Sequence, residues 1–187
     1  AGVQVSSAWA GMTGMAEDVV SGRVAGAFGY VSTFTGSIVS ANPGLLRQVR
    51  FLQYADWVPD LYGSALMASQ RLLREEPDVV TRVVRALNRG VVDLMRTPDR
   101  AFESVLRAHP GLPRAAEHAR LRATLQLEMN AELPKGAGRP EIGDVDAVRL
   151  TRSIELMVRG SALPRTPGAQ EIFTPAHLPP ANARARL

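Results

Sequence analysis

The sequence predicts an α/β fold whose C-terminal half is rich in helix. In the first third, short apolar runs alternate with stretches of helical spacing, the order of a parallel α/β arrangement. From Ser69 onward, apolar residues recur at helical intervals between Pro and Gly breaks. The strands are too few for a complete open sheet, so the fold is expected to be incomplete at its N-terminal side. The chain opens on Ala1 without the basic and apolar regions of a signal peptide, which agrees with a removed segment or a fragment.

Each element follows from local chemistry. Residues 3–5 read as a short strand. Residues 8–21 carry small and apolar side chains at helical intervals and stop at Gly22, a helix terminator. Residues 24–30 form an apolar run with Gly26 and Gly29, read as a buried strand whose backbone is closely approached. Residues 32–40 are hydroxyl-rich and start a helix that ends at Asn42-Pro43-Gly44. Residues 49–55 and 65–69 read as strands. The segment between them, Asp56 to Gly63, is a loop by its Asp, Pro and Gly content.

Beyond Ser69, Pro77 sits where a helix start tolerates its missing N–H. Val79, Val80, Val83, Val84, Leu87, Val91 and Leu94 then lie on one helical face. Thr97-Pro98 opens the next helix, with Phe102, Val105 and Leu106 on its inner side, and residues 110–113 break it. Residues 114–128 read as a third helix and 133–143 as a Pro/Gly-rich loop. Asp146 caps a helix over 147–159, with Val148, Ile154, Leu156, Met157 and Val158 apolar and Gly160 at its end.

Composition narrows the function classes. A chain of 187 residues is one domain or a piece of two, and 45% hydrophobic content supplies a core. The absence of cysteine excludes disulfides, thiolate nucleophiles, Cys-ligated zinc and iron–sulfur clusters. No apolar run reaches the roughly 20 residues that span a bilayer. The net charge is +4, and every basic residue except Lys135 is arginine. These arginines are spread along the chain among acids, as at Arg71, Arg74, Glu75 and Glu76, so the expectation is solvated helix faces and no nucleic-acid partner. His109, His118 and His177 lie far apart and pair with no carboxylate at metal-ligand spacing, so no metal and no cofactor is expected. Neither a nucleophile elbow, nor a P-loop, nor a dinucleotide fingerprint is present. The carboxylates of Glu75, Glu76 and Asp78 favour a helix dipole and form no general acid–base pair.

Four stretches carry a resemblance. The first is Val19-Val20-Ser21-Gly22-Arg23-Val24-Ala25-Gly26-Ala27-Phe28-Gly29-Tyr30. The second runs from Tyr54 through Asp56-Trp57-Val58-Pro59-Asp60-Leu61-Tyr62-Gly63-Ser64 to Ser69. The third joins Glu76-Pro77-Asp78-Val79-Val80 to Arg89-Gly90 and Pro98-Asp99. The last spans Gly143-Asp144-Val145-Asp146, Ile172-Phe173-Thr174 and Leu178-Pro179-Pro180. In this order and spacing the chain resembles the NMT1/THI5-like substrate-binding proteins of ABC importers, which include nitrate, sulfonate, taurine and thiamine-precursor binders. It departs from the family pattern at Ala25, where the family has Asp, and at Ser64, where it has Asn.

The resemblance implies a periplasmic-binding-protein-like (type II) fold of two lobes around a ligand cleft. It assigns residues 1–53 to the later half of lobe two, 54–69 to the hinge crossing, and 70–187 to the helical C-terminal part of lobe one. It implies a non-catalytic solute-binding component that docks on a membrane ABC permease, is periplasmic or exported, and is monomeric at full length. The solute is a small organic anion or a thiamine-type pyrimidine. The alternatives are an enzyme like the family's thiamine-pyrimidine synthase, which uses a histidine and a cysteine-rich motif, and a ligand-sensing regulatory domain of the same fold.

Two residue sets suit a cleft of this kind. In Gly29 to Thr35, glycine lets the backbone approach and the hydroxyls of Ser32, Thr33 and Thr35 supply donors and acceptors. A helix beginning there aims N–H groups at an anion, and Tyr30 can stack on a planar ring. The competing reading makes Tyr30 and Phe34 core residues and the hydroxyls caps. In the second set, Trp57 with Asp60 and Tyr62 can hold a cationic heterocycle by stacking and a charge-assisted hydrogen bond. The competing reading is a hinge loop in which Asp60 caps a turn and Tyr62 packs against the other lobe.

Overall fold

A computed structural model describes residue 4, residues 14–129 and residues 141–185. In chain order the elements are α1 (Met15–Val20), α2 (Val31–Ala41), 3-10 turns at Pro43–Gln48 and Tyr54–Asp56, and α3 (Gln70–Glu75). Then follow α4 (Pro77–Arg96), α5 (Pro98–Ala108), α6 (Arg114–Ala123), a π turn at Thr124–Glu128, α7 (Ala147–Gly160), α8 (Ala169–Ile172) and a last 3-10 turn at Ala181–Ala183. They divide into two compact units. Ala1–Phe51 with Ala108–Met129 form one, and Leu52–Arg107 with Asn130–Leu187 form the other.

In the first unit, Phe34 and Ile38 lie four residues apart on α2 and bury the same face. Ala16 of α1 completes this small core, with Met15, Val20, Leu45, Leu46, Val49 and Phe51 packed around it. Ile38 is its most enclosed member, at 1% exposure. The opposite contact of α2 is α6. Here Gly36 is required by close approach: a Cβ on it would stand 2.9 Å from Arg120 Nε and 3.3 Å from the Ala116 carbonyl. Small buried residues on α6, Ala116 and Ala123, let the two axes come together. The chain leaves α2 through Asn42, whose side chain accepts the Gly44 N–H at 2.9 Å.

The second unit is built on capped helices. Ser69 Oγ accepts the Leu72 N–H at 3.1 Å and starts α3. Pro77 opens α4 at a position where no N–H is needed. Asp146 caps α7, its Oδ1 accepting the Arg149 N–H at 2.7 Å. Val80, Phe102 and Ile154 are buried, together with Asn88 and Ser153. The C-terminal segment returns to residues 141–144: the Ile142 N–H donates to the Ala185 carbonyl at 2.8 Å, and Arg184 Nη1 reaches the Ile142 carbonyl at 3.0 Å and Asp144 at 2.6 Å. Gly143, at φ +91°, turns the chain against Leu178.

Helices α2, α4, α5, α6 and α7 fall where the sequence places them, whereas the strands expected at 24–30, 49–55 and 65–69 are absent. Residues 24–30, 49–55 and 65–69 form no strand; the last of these is irregular and exposed, and the second closes in the 3-10 turn at Tyr54–Asp56. Residues 3–5 lie outside the described residues apart from Gln4. A strand is completed by a neighbour's N–H and C=O groups, and among the described residues these runs have no such neighbour. Their apolar side chains stand open instead, Phe28 at 77% and Met67 at 90% exposure. The described part is therefore rich in helix, with little strand. The helix expected over residues 8–21 is seen as Met15–Val20, with residues 8–13 outside the described residues. On α4 the apolar stripe is only partly used: Val80 is buried, while Val83 and Leu87 are exposed.

Candidate functional site

The two residue sets fall in different units. In the first unit Tyr30 is the N-cap of α2, with extended backbone (ψ 135°) and a half-exposed ring. It makes no side-chain cap, so the first N–H groups of α2 receive none from it. Phe34 turns inward and belongs to the core, and Ser32 is buried. Thr33 and Thr35 are half-buried. Thus Tyr30 is outside the core, contrary to the reading that packs it there, while Phe34 obeys that reading.

In the second unit the loop from Gln53 to Tyr62 is a chain of turns. The N–H groups of Trp57 and Val58 donate to the Tyr54 carbonyl at 2.9 and 2.7 Å, and that of Leu61 to the Val58 carbonyl at 3.3 Å. Trp57 projects from this loop at 80% exposure. Asp60 and Tyr62 instead face the start of α7. Arg152 grips the Asp60 carboxylate with two hydrogen bonds of 2.8 Å each. That pair holds the Asp60 carboxyl below its ordinary value, and the same contact raises the Arg152 guanidinium. Arg149 lies 4.3 Å from the Tyr62 ring centroid and donates to the backbone carbonyls of Leu61 (2.7 Å) and Asp60 (3.3 Å). The Tyr62 hydroxyl accepts the Asp146 N–H at 3.0 Å.

Arg149 and Arg152 were not legible as functional partners in the sequence. They sit three residues apart on one helix face, but their acceptors are about 90 positions earlier, and no local pattern announces that pairing. The available signal was the cap at Asp146, which fixes where α7 begins and hence which way both arginines point.

A cavity of about 240 Å3 lies in the first unit, lined by Ala16, Val20, Ile38, Ala41 and Leu45 with Glu17, Ser21 and Arg23. None of the candidate ligand-binding residues lines it, though Val20, Ser21 and Arg23 of the first resemblance stretch do. Among the described residues no three His, Asp or Glu side chains cluster as a metal site, and no helix is long and apolar enough to cross a membrane.

The family comparison is decisive at the level of class. The family described as NMT1/THI5 like matches residues 3–101, more than half of the chain, and the chain belongs to that family. No curated protein and no solved structure gives a match. The matched span contains both residue sets, Tyr30 to Thr35 and Trp57 to Tyr62. Membership implies a periplasmic-binding-like fold and a function in binding a small solute or in thiamine-precursor chemistry.

Proposed function

We propose that this chain is the solute-binding component of an ABC importer, and that it does not itself catalyse a reaction. Its solute is a small organic anion of the sulfonate, taurine or nitrate kind, or a thiamine-precursor pyrimidine, held in a cleft between two lobes. The observation that carries this reading is the family match over residues 3–101, which includes the two segments that put aromatic rings into solvent. Tyr30 offers a ring beside the α2 N-terminus, where N–H groups favour an anionic or electron-rich group. Thr33 and Thr35 supply half-buried hydroxyls in that segment, whereas Ser32 is buried. Trp57 offers a stacking face, with Asp60 and Tyr62 shaping the loop beneath it. The bound, closed form docks on a membrane permease, which places the protein outside the cytoplasmic membrane.

Thermal melts with taurine, an alkanesulfonate, nitrate and 4-amino-5-hydroxymethyl-2-methylpyrimidine test this reading. A solute present at about 100 times its Kd stabilises the folded form by about 2.7 kcal/mol. A rise in Tm with one of the four, lost in Tyr30→Ala or Trp57→Ala, supports the assignment. No rise with any of them in the full-length protein counts against it.

A further inference from the structure

Loops without strands on either side are usually mobile, and a tryptophan on one would wander. The Gln53–Tyr62 loop is held differently. Three of its consecutive residues are gripped from α7: the Asp60 carboxylate by Arg152, the Asp60 and Leu61 carbonyls by Arg149, and the Tyr62 ring and hydroxyl by Arg149 and the Asp146 N–H. Every anchor lies on the C-terminal side of Trp57, and the 3-10 turn with its Tyr54 carbonyl ties the N-terminal side. The loop therefore spends the Asp60 carboxylate and the Tyr62 side chain on being fixed, and leaves the Trp57 indole as its most exposed large side chain, with Tyr54 at 59% exposure before it.

We propose that Arg149 and Arg152 are positioning residues that hold the Trp57 loop in a single conformation, presenting the indole ready-made for a planar solute. This rests on the solute-binding reading for its purpose, though not for its geometry. The two arginines act in different ways. Arg152 meets a carboxylate as a planar fork, two parallel bonds that fix angle as well as distance. Arg149 holds main-chain oxygens, so it reads the path of the loop and not its side chains. A loop fixed before binding loses less conformational freedom when the solute arrives, which raises affinity without any new contact to the solute. Lysine at position 152 cannot reproduce the two parallel bonds to Asp60, because it lacks the fork.

The test uses the full chain carrying Trp9→Phe, which leaves Trp57 as its one tryptophan. Time-resolved anisotropy of Trp57 is read in this background and in Arg149→Gln, Arg152→Gln, Arg152→Lys and the exchanged pair Asp60→Arg with Arg152→Asp. Circular dichroism checks helix content in each. The same samples are titrated with 4-amino-5-hydroxymethyl-2-methylpyrimidine by Trp57 quenching. The expected result is a larger fast anisotropy component in both glutamine variants at unchanged helix content, little recovery in the lysine variant, and recovery in the exchanged pair. Quenching weakens by roughly tenfold in parallel, a loss of about 1.4 kcal/mol in binding. Unchanged anisotropy in folded Arg149→Gln and Arg152→Gln overturns the proposal, as does a looser Trp57 that quenches with unaltered affinity. If Arg149→Gln loses helix, Arg152→Gln and the exchanged pair decide alone. Looser Trp57 in the variants with no quenching even in the parent supports the anchoring and counts instead against the pyrimidine as solute.

Discussion

Replacing glycine by alanine inside a helix ordinarily stabilises it, by about 1 kcal/mol, since alanine loses less backbone freedom on folding. Two helical glycines of this chain should respond in opposite directions. Gly90 lies on the exposed side of α4, and a Cβ there meets nothing within 4 Å. Gly90→Ala is expected to gain roughly 0.8–1 kcal/mol. Gly36 gains the same propensity term but faces α6. Its new methyl would stand 2.9 Å from Arg120 Nε, 3.3 Å from Arg120 Cβ and 3.3 Å from the Ala116 carbonyl oxygen. The guanidinium end can swing away, but the Cβ and the carbonyl move only if α6 moves. Overpacking of this kind costs about 1–3 kcal/mol. The net expectation for Gly36→Ala is a loss of roughly 1 kcal/mol, so the two variants should differ by about 2 kcal/mol. Urea unfolding followed by circular dichroism at 222 nm measures both. At this chain length the gap corresponds to roughly 4–8 °C in Tm. Gly36→Ala as stable as Gly90→Ala would refute the close approach of α2 and α6 and the packing argument drawn from it.

Other expectations follow from single contacts. Phe34→Ala empties most of a three-residue core and should cost about 3–5 kcal/mol, read as a shift of the urea midpoint. Asp146→Ala removes the acceptor of the Arg149 N–H at the start of α7 and should cost about 1 kcal/mol, whereas Asp146→Asn should cost little. Gly143→Ala is strained at φ +91° and drives a methyl to 2.7 Å from Leu178, so it should destabilise the second unit, while Gly63→Ala should be near neutral in packing. Acid sensitivity has a definite sign. Asp60 is lowered by Arg152, and Glu171 by the Gly168 N–H and Arg165. For Asp144, burial alone would raise the carboxyl, but its bonds to Arg184 and Glu141 outweigh that and leave it lowered. Each binds a proton more readily unfolded than folded, so its contribution is held above the ordinary values of 3.8 for Asp and 4.5 for Glu and lost as the pH falls through the depressed ones. Urea midpoints at pH 7 and pH 3 should differ less in Asp60→Asn/Asp144→Asn/Glu171→Gln than in the parent; equal differences would refute the assignment.

What the sequence disclosed depended on how local the cause was. α4 was legible because Pro77 marks its first turn and the valines repeat at helical spacing, both within 20 residues. The cap at Asp146 was legible for the same reason. The spacing over 114–128 predicts one helix, but its last five residues widen into a π turn, a change of hydrogen-bond register that residue types do not encode. The runs at 24–30, 49–55 and 65–69 have strand-like composition, yet composition supplies only one side of a ladder. Among the candidate site residues, the type and setting of Tyr30 and Trp57 single them out, and both rings are exposed, but the contacts of Asp60 and Tyr62 were not legible. They depend on Arg152 and Arg149, and a contact across some 90 residues leaves no trace in either neighbourhood.

The interleaved make-up of the first unit has a consequence during synthesis. α2 is complete at Ala41, but α6, which closes over Gly36, ends only at Ala123. About 80 residues must be added in between, most of them belonging to the other unit. At roughly 5–20 residues per second this interval is some 4–16 s. Throughout it α2 lacks its α6 partner. A slow stretch of codons before Arg114 would lengthen that interval, and a chaperone that reads apolar helices has its longest opportunity there.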